Sequence, residues 1–411
     1  MELYYSFSIL IVLAAVFAYL NGRFLKLPST IGVMLIAMLA SILLVVTGNV
    51  FPKTFLAFSH LLEGIDFTEI LMGAMLNFLL FAGAIHIHLS DLREQRTPIV
   101  VFSTLSVILS TLIVGGLLYL LFPLIYKEIP LIYCMLFGAL ISPTDPVAVL
   151  GILKTANVSR QLETKVAGES LFNDGVAVVV FAVLLQLAQG SDAELTALNV
   201  SWLLIKEALG GLFAGLAIGW LVSRAMQKID DYKVSVLLTL AAVMGGYLLA
   251  RAMHISGPLM MVASGLVIGN YGKLTAMSDI TKDYLEKFWE LLDEILNAIL
   301  FLFIGFELLL IEDLTAYWLV GLIGIIVVLL ARFLSIWIPA KLIPFKNKFS
   351  TATVKLLVWG GLRGGVSIAL ALSVDPGPYK NFILAITYIV VIFSILVQGL
   401  TIGKVAKHLE V

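Results

Sequence analysis

Glu169, Ser170, Asn173 and Asp174 are spaced so that Ser170 and Asp174 lie four residues apart, as do Glu169 and Asn173. That spacing puts all four on one polar face of a helix. The segment that follows, Gly175-Val176-Ala177-Val178-Val179-Val180-Phe181, is small or apolar. A carboxylate among such neighbours is penalised in its charged form, and either a proton or a small cation relieves the penalty. Both occupants compete for one group, which is sufficient for exchange. A second acid, Asp145, sits in Ser142-Pro143-Thr144-Asp145-Pro146, where two prolines interrupt an apolar run. An ionisable group at membrane depth costs about 2.5–3.5 kcal/mol on insertion scales, so its default reading is an ion or proton pathway. Proline inside a helix removes backbone hydrogen bonds, and such backbone is tolerated in a membrane only when buried in protein or lining a wet cavity. The exposed N-terminal end of a half-helix carries partial positive charge, which Asp145 offsets, while freed carbonyls such as that of Thr144 can face a cation.

These residues need a frame, and the composition supplies one. Of 411 residues, 61% are hydrophobic and 13% charged; a soluble domain of this length carries nearly twice that charged fraction. The chain reads as a polytopic, all-α membrane protein with one transport domain over 1–411 and membrane lipid around it. A net charge of −1 gives no reason to expect a nucleic-acid partner. The single cysteine, Cys134, excludes a disulfide within one chain and is expected to be packing. The N-terminal apolar stretch lacks a basic n-region and a small-residue cleavage site, and reads as a first span.

Hydrophobic runs of about 20 residues each cross a bilayer as helices, and thirteen such spans are expected, among them 129–152, 165–188, 316–340 and 352–373. Basic residues test that division. Loops after odd-numbered spans hold eighteen lysines and arginines, including Lys154, Lys273, Lys282, Lys287, Lys346 and Lys348; loops after even-numbered spans hold only Lys53, Lys127, Arg251 and Lys380. The asymmetry places the N-terminus outside and the C-terminus in the cytoplasm of a cell-membrane protein. The twelfth span has its own weak point at Gly360-Gly361-Leu362-Arg363-Gly364-Gly365, with Arg363 lying 218 residues after Asp145. Corresponding helices then lie seven spans apart and run oppositely. That is an inverted repeat with two interrupted helices, the arrangement that marks a midplane binding site in secondary transporters. Arg363 would be a buried unpaired cation in its break, and Glu169 is the counter-charge expected by type and depth.

Thr144-Asp145-Pro146, the run Gly168-Glu169-Ser170 with Asn173-Asp174-Gly175, and Trp359-Gly360-Gly361-Leu362-Arg363-Gly364-Gly365 together resemble cation/proton antiporters of the bacterial and archaeal NhaP type, relatives of animal sodium/proton exchangers. The resemblance implies the NhaA/NhaP-like antiporter fold, with a core of spans about 98–188 and 316–403 moving against a dimerisation domain in a two-fold homodimer. It implies that Asp174 is the exchanging carboxylate, that Asn173 reaches toward Asp145, that Glu169 pairs with Arg363, and that sodium is held by Asp174, Ser170 and Thr144. The cargo is then Na⁺ or Li⁺ against H⁺, with no cofactor. Members with Asn–Asp rather than two adjacent aspartates are typically electroneutral. In some members a glutamate of the third span also binds the cation; here that place reads Phe81-Ala82-Gly83.

Other classes fit less well. Potassium in place of sodium is the main rival within the class. An intramembrane aspartyl protease needs a Gly-x-Gly-Asp-like second motif that neither aspartate has, and no Gly-x-Ser-x-Gly or His-Glu-x-x-His motif points to an enzyme. A channel needs a wide polar lining or a repeated carbonyl filter. His86 and His88 are two residues apart, point to different faces of a helix and read as interfacial residues. Glu307 and Arg332 read as structural partners, and Gly265 and Gly269 as a close-packing pattern.

Overall fold

The computed structural model describes residues 2–48, 70–125, 127–146, 149–150, 160–190, 197–229, 231–275, 277–306, 309, 314–345 and 349–409. The expectations for Lys53, Lys154, Glu307, Lys346 and Lys348 fall outside them. Among the described residues the fold is entirely helical. In chain order we label α1 (Glu2–Leu20), α2 (Ser29–Gly48), α3 (Ile70–Ile85), α4 (Arg96–Ile125), α5 (Leu131–Leu140), α6 (Arg160–Ala188), α7 (Ala197–Met226), α8 (Tyr232–Met253), α9 (Gly257–Val267), α10 (Asp279–Phe306), α11 (Trp318–Leu342), α12 (Thr351–Trp359), α13 (Gly365–Leu372) and α14 (Lys380–His408).

Among the described residues, eight helices are long and apolar enough to cross a membrane by length and composition alone. The remaining expected spans fall short of that measure for identifiable reasons. α5, α12 and α13 are halves of interrupted helices, α3 and α9 are short, and α10 carries acidic and basic residues along its first five turns. Large apolar side chains such as Leu43, Leu120 and Leu124 face outward, as lipid contact requires.

Two units pack together. α4, α5, α6, α11, α13 and α14 share one apolar core with α2 and the inner end of α10. α3, α7, α8, α9 and the outer part of α10 share another. Glycine permits the close approaches in the second unit: Gly211, Gly215 and Gly219 of α7 meet Ser256, Met260 and Ser264 at α9, while Gly265 and Gly269 come against the backbone of Phe81 and Ile85. The packing role expected of Gly265 and Gly269 is therefore met. Cys134 is a buried free thiol in the first core, as packing would have it.

The two interruptions have local causes. After α5 the chain runs Ser142–Asp145 without helical bonding, because Pro143 and Pro146 lack N–H groups and bias the residues before them away from helix. Ser142 Oγ folds back to the Gly138 carbonyl at 2.6 Å and closes the last turn. After α12, Gly360 to Gly364 let the backbone leave the helix before α13 begins.

Candidate functional site: two broken helices and a buried aspartate

The two breaks meet. The Asp145 N–H donates to the Leu362 carbonyl at 2.7 Å. Arg363 Nη1 donates to the carbonyls of Ser142 at 2.6 Å and Pro143 at 3.0 Å. Helix interruption leaves carbonyls that need donors, and the guanidinium supplies them from the opposite break. Helix α12 is closed in the same way from its flanks. Arg332 Nη2 donates to Leu357 O at 3.1 Å and Gln398 Nε2 to Trp359 O at 3.1 Å. Ser394 Oγ accepts from the Arg363 N–H at 2.9 Å and donates to Gln398 Oε1 at 2.8 Å.

The polar face expected on α6 lies against the first break. Asn173 grips Thr144 from both ends: its Nδ2 donates to Thr144 Oγ1 at 2.8 Å, and its Oδ1 accepts from the Thr144 N–H at 3.3 Å. Ser170 Oγ donates to the Thr144 carbonyl. The amide of Asn173 is thus committed to Thr144, where the sequence resemblance had it reaching toward Asp145. Fixing Thr144 holds Asp145, its neighbour, in place. Asp174 is 8% exposed and its Oδ1 has no protein donor. An ionised carboxylate so placed needs a proton or a cation as compensation.

The expected pairing of Glu169 with Arg363 is corrected. Glu169 Oε1 lies 2.6 Å from Arg332 Nη2 on α11, both side chains being buried. Arg363 is close enough to add to the field at Glu169, but its donors are turned to the carbonyls of Ser142 and Pro143. The reason is geometric: an arginine inside one break is adjacent to the carbonyls freed by the other. Arg332, seen in the sequence only as a structural partner, fills the role assigned to Arg363.

A cavity of about 710 Å³ leads to this site and is lined by Thr144, Asp145 and Asp174 at its inner end. Asp91, Glu163, Glu286, Glu290 and Glu294 stand on its wall, with no lysine or arginine among the described lining residues. A cleft lined by one sign of charge raises the local concentration of the opposite ion, so this is an approach for cations. His86 and His88 also line it, toward the mouth. Ala82 lines it without contributing an oxygen ligand. The acidic face of α10 was missed at the sequence level. Glu286, Glu290, Asp293 and Asn297 are separated by four, three and four residues, a helical-face signal that was open to reading.

An all-helical bundle whose two interrupted helices brace each other beside a buried carboxylate has the architecture of a secondary transporter. The chain belongs to the sodium/hydrogen exchanger family, whose transmembrane model matches residues 11–408. It is a multi-pass membrane protein. It is 47% identical over 410 residues to the Na⁺/H⁺ antiporter NhaP of Pseudomonas aeruginosa, covering 97% of this chain and 95% of that protein. It is 34% identical over 386 residues to the Na⁺/H⁺ antiporter NhaH of Halobacillus aidingensis, covering 90% and 91%. The solved structure of the sodium proton antiporter MjNhaP1 from Methanocaldococcus jannaschii at pH 8 superposes with a TM-score of 0.79 at 21% identity, covering all of this chain and 98% of that one. That likeness establishes the antiporter fold.

Proposed function

We propose that the protein exchanges Na⁺ or Li⁺ for H⁺ across the cell membrane, one for one, at Asp174. The observation that carries this reading is the unpartnered Oδ1 of buried Asp174 at the inner end of an acid-lined cavity, next to the braced oxygens of Thr144 and Ser170. Sodium is held there by Asp174, Ser170 and Thr144, with Asp145 adding negative charge from the break. The relatives named above as Na⁺/H⁺ antiporters support the choice of ions.

Charge balance argues for the stoichiometry. Among the described residues the buried charged side chains are Glu169, Asp174, Arg332 and Arg363, and half-buried Asp145 joins them at the break, whereas half-buried Asp293 belongs to the wall of the approach on α10 and not to the breaks. Three carboxylates face two guanidinium groups, leaving one negative charge. One proton or one monovalent cation neutralises the core, and two occupants would leave it positive in a medium that penalises net charge. Exchange through such a core is electroneutral and needs no cofactor.

The cavity mouth lies beside Lys273, which bonds Glu286 at 2.7 Å, on the side rich in loop lysines. In the orientation that the basic residues favour, the N-terminus is outside, the C-terminus is cytoplasmic, and this conformation opens inward. Thirteen crossings, with α3, α5, α9, α10 and the α12–α13 pair completing the set, belong to the same reading, as does a homodimer. Trp202, Phe213 and Trp220 on the outward face of α7 offer apolar surface to lipid or a second copy.

The test is a dequenching assay with inside-out vesicles or proteoliposomes across a pH gradient, adding sodium, lithium or potassium. Recovery with sodium and lithium is expected. Recovery with potassium alone would transfer the reading to K⁺/H⁺ exchange, and none with any cation would overturn it.

A further inference from the structure

On α10, Glu286, Glu290, Asp293, Asn297 and Leu300 all line the cavity. Their spacing makes one stripe along the helix, and at about 1.5 Å of rise per residue it spans roughly 21 Å. Both ends of the stripe are fixed. At the outer end Glu286 pairs with Lys273 at 2.7 Å. At the inner end the Leu300 side chain packs on Gly365, the first residue of α13 beyond the second break. Asp293 is thus the carboxylate of this stripe that stands nearest the breaks, one turn before Asn297. Asp145 is near enough to act on Asp293 electrostatically, as it acts on Asp174.

Asn297 follows one turn deeper. It is 4% exposed, lines the cavity, and its Nδ2 makes no hydrogen bond of normal geometry, with the Asp293 carboxylate near enough to feel it. That amide interacts with the Asp293 carboxylate; once a cation occupies the carboxylate, the amide turns by half a rotation and Oδ1 presents a carbonyl to the same ion. A carboxylate followed by a turnable amide is a ligand pair for a hard monovalent cation.

We propose that Asp293 and Asn297 form a staging site for a partly hydrated monovalent cation, held between α10 and Asp145 before it reaches Asp174. The inference rests on the antiport reading for its physiological meaning, but not for its existence as a binding site. The site sits on a different helix from the exchanging group, so loading and exchange are separate steps. Glu294 also lines the cavity but differs from Asp293: it is exposed and its Oε2 accepts from Ser29 Oγ at 3.5 Å.

Two experiments test the proposal. In proteoliposomes, Asp293→Asn should raise the half-saturating sodium concentration by about fivefold or more, with the maximal rate changed by less than about twofold, the signature of a lost loading interaction. Asp293→Glu should restore it, and Asp283→Asn, which removes the same charge from the same helix outside the cavity lining, should leave it near the wild-type value. Equal effects of Asp293→Asn and Asp283→Asn would reduce the face of α10 to a diffuse field and overturn the site. The second experiment does not require exchange. Purified Asp174→Asn protein should retain a sodium-specific rise in melting temperature, read against choline chloride at equal ionic strength, because a ligand that binds the folded state stabilises it. Adding Asp293→Asn should abolish that rise. Its absence from the Asp174→Asn protein, or its persistence after Asp293→Asn, would sink the proposal. A wild-type protein inert in proteoliposomes would instead sink the antiport reading.

Discussion

Glu169 of α6 and Arg332 of α11 meet at 2.6 Å with side chains only 4% and 6% exposed. Each also supports an interruption. Arg332 donates to the end of α12 through Leu357 O, and Glu169 is one residue before Ser170, which bonds the first break at Thr144. The pair therefore ties both breaks to continuous helices. Removing one partner of a buried pair costs about 3–5 kcal/mol because the other charge is stranded. Arg332→Ala is expected to lower the melting temperature of the purified protein sharply, and Glu169→Gln added to it should recover part of the loss. An Arg332→Ala protein that melts like wild type would refute the pair's structural role.

Arg363→Ala should behave differently. It leaves Glu169 paired and removes two charge-assisted hydrogen bonds to the carbonyls of Ser142 and Pro143. Such bonds are worth about 1.5–3 kcal/mol each. With the first break unbraced, exchange in the dequenching assay is expected to fall by at least tenfold. Arg363→Lys should recover little, since a lysine ammonium does not reproduce the planar fork that spans two carbonyls. Full activity of Arg363→Lys would show that charge alone suffices there.

The α6 face and the first break were legible in the sequence because their causes are local. Four-residue spacing sets the face, and prolines on either side of Thr144 and Asp145 set the break. The partner of Glu169 was not legible. Arg332 and Arg363 are both buried arginines, and choosing between them requires knowing that the breaks abut and that Arg363 is drawn to the freed carbonyls. Asn173 was assigned to Asp145 for the same reason: whether an amide reaches residue 144 or residue 145 is decided by the path of an extended segment. The acid face of α10 was hidden by its charge. A segment holding Lys282, Asp283, Glu286, Lys287 and Glu290 reads as a loop and a span edge until its cavity-facing stripe is set apart from its outer residues.

Asp174→Asn keeps the size of the side chain and removes the proton site. Exchange should be abolished, with expression and gel-filtration behaviour unchanged, and the assay is the same pH-gradient dequenching. Retained exchange would move the proton-carrying role to another group.

Electroneutrality follows from three carboxylates set against two guanidinium groups in the core, and a single substitution tests it. Wild-type exchange in proteoliposomes should be insensitive to an imposed membrane potential. Asn173→Asp adds a fourth carboxylate beside Asp174 while also removing the amide that holds Thr144. Any exchange it retains should become potential-dependent, because the core then needs two positive occupants for neutrality. Wild-type exchange that generates a current would contradict the charge count directly.

Gly364 of the second break lies against Asp145 of the first. A Cβ placed there would stand 2.5 Å from Asp145 Oδ2 and 2.6 Å from Asp145 Cβ, closer than real side chains approach. Rotating the side chain leaves the Asp145 Cβ in place, and its backbone is tied through the N–H to Leu362 O at 2.7 Å. Gly364→Ala should therefore push the two breaks apart and lower sodium-dependent exchange by about tenfold or more, on the scale at which overpacking costs roughly 1–3 kcal/mol. Gly116 of α4 provides the contrast: nothing lies within 4 Å of a Cβ there, so Gly116→Ala should leave exchange unchanged and add up to about 1 kcal/mol of helix stability. Equal activity of the two variants would mean that the contact between the breaks tolerates displacement, and that Asp145 is not held where the cation-binding scheme needs it.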